Sequence, residues 1–309
     1  MTLAARPPRP EDAAAVAALV NASDGAFGVD DAWSIADVED EWRTASDAWL
    51  VERDGELAGH ATLRPRDGGR LHALGWTHPA HAGHGVGGLL VDVTEHRAAE
   101  AGVSVIVRNS VLAADRAACR LLEARGYVAE SEDLRMQIDL GGPPLRPTPP
   151  PGIALASFRP GLDDAGVDAC VEEAFERRWS HQAEWRVAKS AEARFDPDVW
   201  IVAREGLNVC GVALCTRQTF GMGYVEALGV RAAWRGRGIG AALLHEALRR
   251  LWIAGERSIG LGVDGDNPAA IRLYERAGMH VAWTAVRYER EVGEARADTG
   301  GRSSARVCE

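Results

Sequence analysis

Three glycines, Gly236, Gly238 and Gly240, alternate just ahead of a helical run. Glycine lets backbone N–H groups approach an anion closely, and a helix start adds partial positive charge there. A pyrophosphate is the natural occupant of such a loop. Alone the pattern is weak: at this glycine content a G-x-G-x-G arises roughly 0.4 times by chance. Its surroundings add weight. Glu226 alternates with Tyr224 and Leu228 in a largely apolar strand pattern upstream, and Asn267 and Tyr274 follow downstream across one further strand.

A dinucleotide fingerprint competes for the same residues. Gly83-x-Gly85-x-x-Gly88 satisfies G-x-G-x-x-G, and Gly236-x-Gly238-x-x-Ala241 satisfies its variant. In that fold the strand runs straight into the first glycine of a parallel sheet. Here Val230, the last clear strand position, is separated from Gly236, and the neighbouring pattern is one of hairpins. A nicotinamide or flavin enzyme is therefore disfavoured.

The elements that must position these groups are readable. Val199 to Ala203 and Val209 to Cys215 form a hairpin pattern around Glu205-Gly206, and Tyr224 to Val230 reads as another strand. Leu243, Leu244, Ala247, Leu248, Leu251 and Trp252 recur at helical spacing. Ser258 to Val263 is a strand pattern; Asn267-Pro268 then opens a helix that Gly278 closes. Mixed α/β layers result. The chain also repeats itself. Trp49 matches Trp200 at a spacing of 151, Ala82 matches Arg235 at 153, and Ala117 matches Ala269 at 152. Three segments at nearly one spacing indicate internal duplication. Between the copies lies GGPPLRPTPPPG, Gly141 to Gly152, which can continue neither helix nor central strand and reads as a stiff linker. The expected organisation is a first domain over 1–140, a linker over 141–152, a second domain over 153–291 and a disordered tail over 292–309.

Composition narrows the class. At 309 residues two domains are expected, and a net charge of −10 argues against nucleic acid or an anionic membrane as partner. Lys189 is the only lysine, so individual arginines carry little information. No apolar run is long enough to span a membrane, and Glu11 and Asp12 interrupt the N-terminal apolar stretch, which reads as a helix start rather than a signal peptide. The cysteines Cys119, Cys170, Cys210, Cys215 and Cys308 are scattered without a C-x-x-C pair, as expected of reduced thiols in the cytoplasm rather than of a disulfide framework or zinc site. No metal is expected.

The segment VEALGVRAAWRGRGIGAALL…DNPAAIRLYERAGM resembles the GCN5-related N-acetyltransferase (GNAT) superfamily. Its coenzyme motif, V-x-P-x-x-[RQ]-x-x-G-x-[GA], runs here from Val230 to Gly240 with Ala232 in place of the proline. The tandem arrangement is similar to that of the mycothiol synthase branch. The resemblance implies two tandem GNAT-type domains, each a mixed, largely antiparallel sheet flanked by helices, and acetyl transfer from acetyl-CoA to an amine in a ternary complex. It further implies pyrophosphate contacts from Arg235, Gly236, Arg237, Gly238, Ile239, Gly240 and Ala241. Leu228, Gly229 and Val230 would hydrogen-bond the pantetheine arm, and Asn267 and Ala270 would lie beside the coenzyme. Glu226 would accept the amine's proton and Tyr274 would supply one to the thiolate.

In the first copy Ala82, Asp115 and Leu122 stand where Arg235, Asn267 and Tyr274 stand in the second, so that half is expected to do no chemistry while keeping its glycine framework. Acidic residues in the helical regions over each cleft (Glu172, Glu173, Glu176 and Glu184 with Trp185; Asp30, Asp31, Asp37, Glu39, Asp40 and Glu41) would favour a cationic acceptor, although solvated helix faces explain them equally well. His181 and the histidines between 72 and 84 read as surface residues. The expected function is N-acetylation of a small primary amine such as an aminosugar, aminoglycoside, polyamine or mycothiol-precursor-like molecule, by a monomer or homodimer. The alternatives are a non-catalytic acyl-CoA-binding sensor or scaffold, and a protein N-acetyltransferase.

Overall fold

Short apolar runs broken by Gly- and Asp-containing turns supply the strands, and the two copies build them in the same order. The computed structural model describes residues 2–66, 69–175, 186–187 and 195–293. The first copy contains β1 (Leu3–Arg6), α1 (Ala13–Gly25), α2 (Ile35–Thr44), β2 (Asp47–Arg53), β3 (Glu56–Arg66), β4 (Arg70–Thr77), α3 (Val86–Ala99), β5 (Val105–Leu112), α4 (Arg116–Ala124) and β6 (Val128–Asp139). The second contains β7 (Ile153–Ser157), α5 (Asp164–Ala174), β8 (Ile201–Glu205), β9 (Asn208–Thr219), β10 (Met222–Val230), α6 (Ile239–Ile253), β11 (Ser258–Asp264), α7 (Pro268–Arg276) and β12 (His280–Val292). The fold is mixed α/β. Its strand pairs are antiparallel except for β4 with β5 and β10 with β11.

The expected hairpin is present as β8 and β9, although β9 runs on to Thr219. Asn267 caps α7 by accepting from Ala270 N at 3.1 Å, and Gly278 closes it with φ of 91°. The linker between β6 and β7 has no helix or strand.

Both copies share one sheet, in the order β1-β2-β3-β4-β5-β12-β6-β11-β10-β9-β8-β7. Each copy therefore gives its last strand to the other. Strand β6 pairs along β11 from Ser258 with Asp139 to Asp264 with Asp133, while β12 pairs along β5 from Ala285 with Leu112 to Val292 with Val105. The exchange reaches the cores. Met136 of β6 is buried among Leu244, Ile259 and other residues of the second copy; Tyr288 and Val292 of β12 are buried with Val107 and Leu122 of the first. Tyr288 Oη also donates to Glu123 of α4 at 2.9 Å. Val292, expected to begin a structureless tail, is thus a paired core residue; residues 294–309 lie outside the described residues.

Cys119, Cys170, Cys210 and Cys215 are buried free thiols, and Cys308 lies outside the described residues. Burial pushes the Cys170 thiol up to about 12, which leaves it unreactive as a nucleophile.

Candidate active site

The second copy's site begins where two parallel strands part. Strands β10 and β11 pair only at Gly223 with Ile259 and Tyr224 with Gly260, although β10 continues to Val230 and β11 to Asp264. A wedge opens beyond Tyr224, with the outer end of β10 as one wall. Along that wall Tyr224, Glu226, Leu228 and Val230 are half-buried, and Val225, Ala227 and Gly229 are buried on the other face. Leu228, Gly229 and Val230 are held on their far side by Ala213, Val212 and Gly211 of β9. Gly229 has a packing reason as well: a Cβ there would lie 2.8 Å from that of Ala174 in α5.

Glu226 is a β-bulge. Val225 faces Cys215 and Ala227 faces the next residue, Leu214, so Glu226 is one residue too many for the ladder. A bulge of this kind bends a strand and re-aims a side chain. Thr216 Oγ1 donates to Glu226 Oε1 at 3.0 Å. In the first copy β3 and β4 pair without interruption from Gly59 with Thr77 to Arg66 with Arg70. Matching the ladders sets Ala73 opposite Val225 and Leu74 opposite Ala227, so Glu226 has no counterpart there. This single extra residue is the step in repeat spacing between β3/β9 and the glycine loops. The step was visible in the sequence, but its meaning needed the ladder.

At the end of β10, a 3-10 turn (Ala232–Trp234) leads into the glycine loop. Gly236 and Gly238 have φ of 76° and 83°, a region that costs a side chain about 1–2 kcal/mol. Gly238 is the N-cap of α6, and no described backbone group accepts from the N–H of Gly236, Arg237 or Gly238. Upturned N–H groups before a helix are what a diphosphate requires. The side chains are less directly placed. Arg235 Nε donates to Val230 O at 3.0 Å and ties the loop to the strand end. Arg237 pairs with Glu205 at 2.7 Å, beside Trp234, whose Nε1 donates to the same carboxylate. Ile239 is buried in the core, and a Cβ at Gly240 would meet only ordinary contacts with Leu273 and Val230. Ala241 lies in the first turn of α6, where N–H groups lack helical acceptors. The N–H of Ala270 is committed to Asn267.

Tyr274, on α7, is buried against the second copy's core. Burial, with the Tyr224 hydroxyl nearby, pushes its phenol up to about 12. It is therefore protonated at neutral pH.

The other wall of the wedge is β11, whose far side is paired along its length by β6 of the first copy, a contribution the sequence did not announce. Arg135 of β6 lies over the Tyr224 ring at 4.7 Å and the Trp283 ring at 5.0 Å, and Nη2 contacts Asp31 at 3.0 Å. Both members of that ion pair are buried. Burial pushes the Asp31 carboxyl up, and Arg135 opposes this. Next to Asp31, Ala32 N donates to Phe220 O at 3.0 Å across the copies. Gln218 and Phe220 have φ of 53° and 51°, backbone strain of about 1–3 kcal/mol each at the β9–β10 turn.

The other acidic candidates divide differently from the expectation. Glu173 accepts from Arg231 Nε and Ala232 N at 2.6 and 2.7 Å and so braces the end of β10. Asp37 completes the α2 cap with Ser34, Asp40 pairs with Arg43, and Glu41 holds Thr62 and Arg64. Glu172, Asp30 and Glu39 are exposed. Glu176, His181, Glu184 and Trp185 lie outside the described residues. Among the described residues no three His, Cys, Asp or Glu side chains are grouped to hold a metal, and no helix is long and apolar enough to cross a membrane.

A family model for the acetyltransferase (GNAT) family matches residues 16–127 and again 167–279. The mycothiol acetyltransferase of Kineococcus radiotolerans is 34% identical over 251 residues, 76% of this chain and 78% of that one. A GCN5-related N-acetyltransferase from Sphaerobacter thermophilus superposes with a TM-score of 0.84 at 35% identity, covering 95% of this chain and 96% of that one. A tandem GNAT protein from the clavulanic acid biosynthesis pathway shares the fold at a TM-score of 0.77 and 17% identity, over 95% and 100% of the two chains.

Proposed function

The chain belongs to the GNAT acetyltransferase family and is an acyltransferase, and from that premise we propose that it moves an acetyl group from acetyl-CoA to a primary amine of a small aminosugar-type molecule. The mycothiol-precursor amine is the first acceptor to test, given the names of the relatives. The observation that carries this reading is Glu226, a carboxylate added as a bulge on the wedge wall of one copy only.

The groups divide the work. The loop from Arg235 to Ala241, with Asn267 beside it, holds the diphosphate of the coenzyme, and the wedge edge of Leu228, Gly229 and Val230 takes the pantetheine arm as a further strand. An N–H on that edge polarises the thioester carbonyl. The amine nitrogen attacks that carbonyl, Glu226 takes the proton the nitrogen must lose, and the C–S bond breaks. Tyr274 faces the departing sulfur. With its phenol at about 12 and an ordinary thiol near 8.5, full proton transfer costs roughly 5 kcal/mol. Tyr274 therefore stabilises the thiolate as a hydrogen-bond donor and keeps its own proton, while the proton that Glu226 takes from the nitrogen passes through solvent to the sulfur, so that coenzyme A leaves as the thiol and Glu226 is ionised again.

A non-catalytic acyl-CoA binder needs neither Glu226 nor Tyr274. Thiol release from acetyl-CoA with the mycothiol-precursor amine tests the proposal. Glu226→Gln should lower kcat by about 100-fold or more with acetyl-CoA binding intact by calorimetry. An unchanged kcat would remove the base role.

A further inference from the structure

We propose that Thr216 is a positioning residue for this reaction and acts through Glu226, a reading that rests on the base role of Glu226. As the extra residue of a bulge, Glu226 has no residue directly opposite it in the ladder, so strand pairing alone does not set its direction. A glutamate side chain is also long and costly to order. Thr216 supplies a constraint from the neighbouring strand. It sits one ladder step from the bulge, opposite Tyr224, and is 6% exposed. Being β-branched, it has a stiff χ1, so its hydroxyl has a defined direction.

The hydroxyl makes two contacts, to Glu226 Oε1 at 3.0 Å and to Thr219 Oγ1 at 2.9 Å. A hydroxyl has one proton. Thr216 gives its proton to the carboxylate, so Thr219 must be the donor in the other contact. The chain of donation runs Thr219 to Thr216 to Glu226 and orients the ionised carboxylate, the form that can accept a proton from the amine. The first copy is the internal control. Its ladder places Arg64 where Thr216 stands, opposite His72, and Arg64 is turned to Glu41. The threonine and the glutamate it orients are absent together.

The test is steady-state thiol release from acetyl-CoA by the full chain, with the mycothiol-precursor amine as acceptor and, separately, with water alone. Thr216→Val should lower kcat about ten-fold, the size of one lost hydrogen bond to a charged group, with KM for acetyl-CoA unchanged. Thr216→Ser should restore most of the rate. In a Glu226→Gln background Thr216→Val should cost nothing further, since it acts only through that carboxylate. Thr219→Val, at a less buried position, should lower kcat in the same direction by about two-fold, again only when Glu226 is present. A ten-fold loss that persists beside Glu226→Gln, a Thr216→Val enzyme with wild-type kcat, or failure of Thr216→Ser to recover the rate would each overturn the proposal. If Glu226→Gln alone is inert, the base reading fails and this one falls with it.

Discussion

The two glycine loops have nearly the same backbone and very different surroundings. Gly83 and Gly85 have φ of 77° and 83°, against 76° and 83° for Gly236 and Gly238, and each second glycine caps its helix with ψ near zero. A 3-10 turn precedes each loop, and a parallel pair parts beside each. Yet the first copy has His78, His81 and His84 in place of Arg231, Trp234 and Arg237, Leu122 in place of Tyr274, and nothing in place of Glu226. Backbone geometry is specified by glycines and small residues whatever the side chains do. On the function proposed above, chemistry needs one inserted residue and one phenol, and both are present in a single copy. The first copy nonetheless reaches the second copy's β10, because Arg135 lies over Tyr224 and pairs with Asp31, and β6 and β12 join the two halves in one sheet.

That asymmetry can be broken most directly at Tyr274. Tyr274→Phe should lower kcat about 10- to 100-fold with KM for acetyl-CoA unchanged, whereas Leu122→Tyr should add no activity. A gain from Leu122→Tyr would mean that the first copy lacks only a phenol. The loops offer a milder comparison. Gly238→Val forces a side chain into the left-handed region and should weaken acetyl-CoA binding about ten-fold by calorimetry, while Gly85→Val should leave the tight event unchanged. Equal losses would show the copies sharing one binding function.

The smallest effect concerns the face the first copy turns to the second. Burial, with Asp31 nearby, raises the Asp24 carboxyl to about 7, whereas the repeat spacing puts Phe175 at the matching place. A carboxyl raised on folding binds its proton more tightly folded than unfolded. Its contribution to stability is complete below about pH 4 and is lost as pH rises to about 7. Asp24→Asn should therefore leave Tm unchanged near pH 4 and raise it by about 3 °C at pH 8. An equal gain at both pH values would place the cause outside this titration.

Much of the fold was legible in the sequence because its signals are local. Alternation in Tyr224 to Val230, the Asn267-Pro268 cap, the glycine loop and the prolines of 141–152 each act within a few residues, where backbone sterics decide. The duplication was equally plain. The exchange of β6 and β12 was not. A backbone ladder is nearly indifferent to side chains, and in a duplicated chain the partner strands of either copy offer similar edges, so only the packing of whole layers selects between them. Asp31 was among the acidic candidates, but its partner Arg135, more than a hundred residues away on the exchanged strand β6, was hidden for the same reason. Glu226 lies between these cases. The sequence determined that a carboxylate would lie on this strand. Whether that carboxylate faced the wedge was decided by the bulge, and a bulge exists only relative to the strand it fails to match.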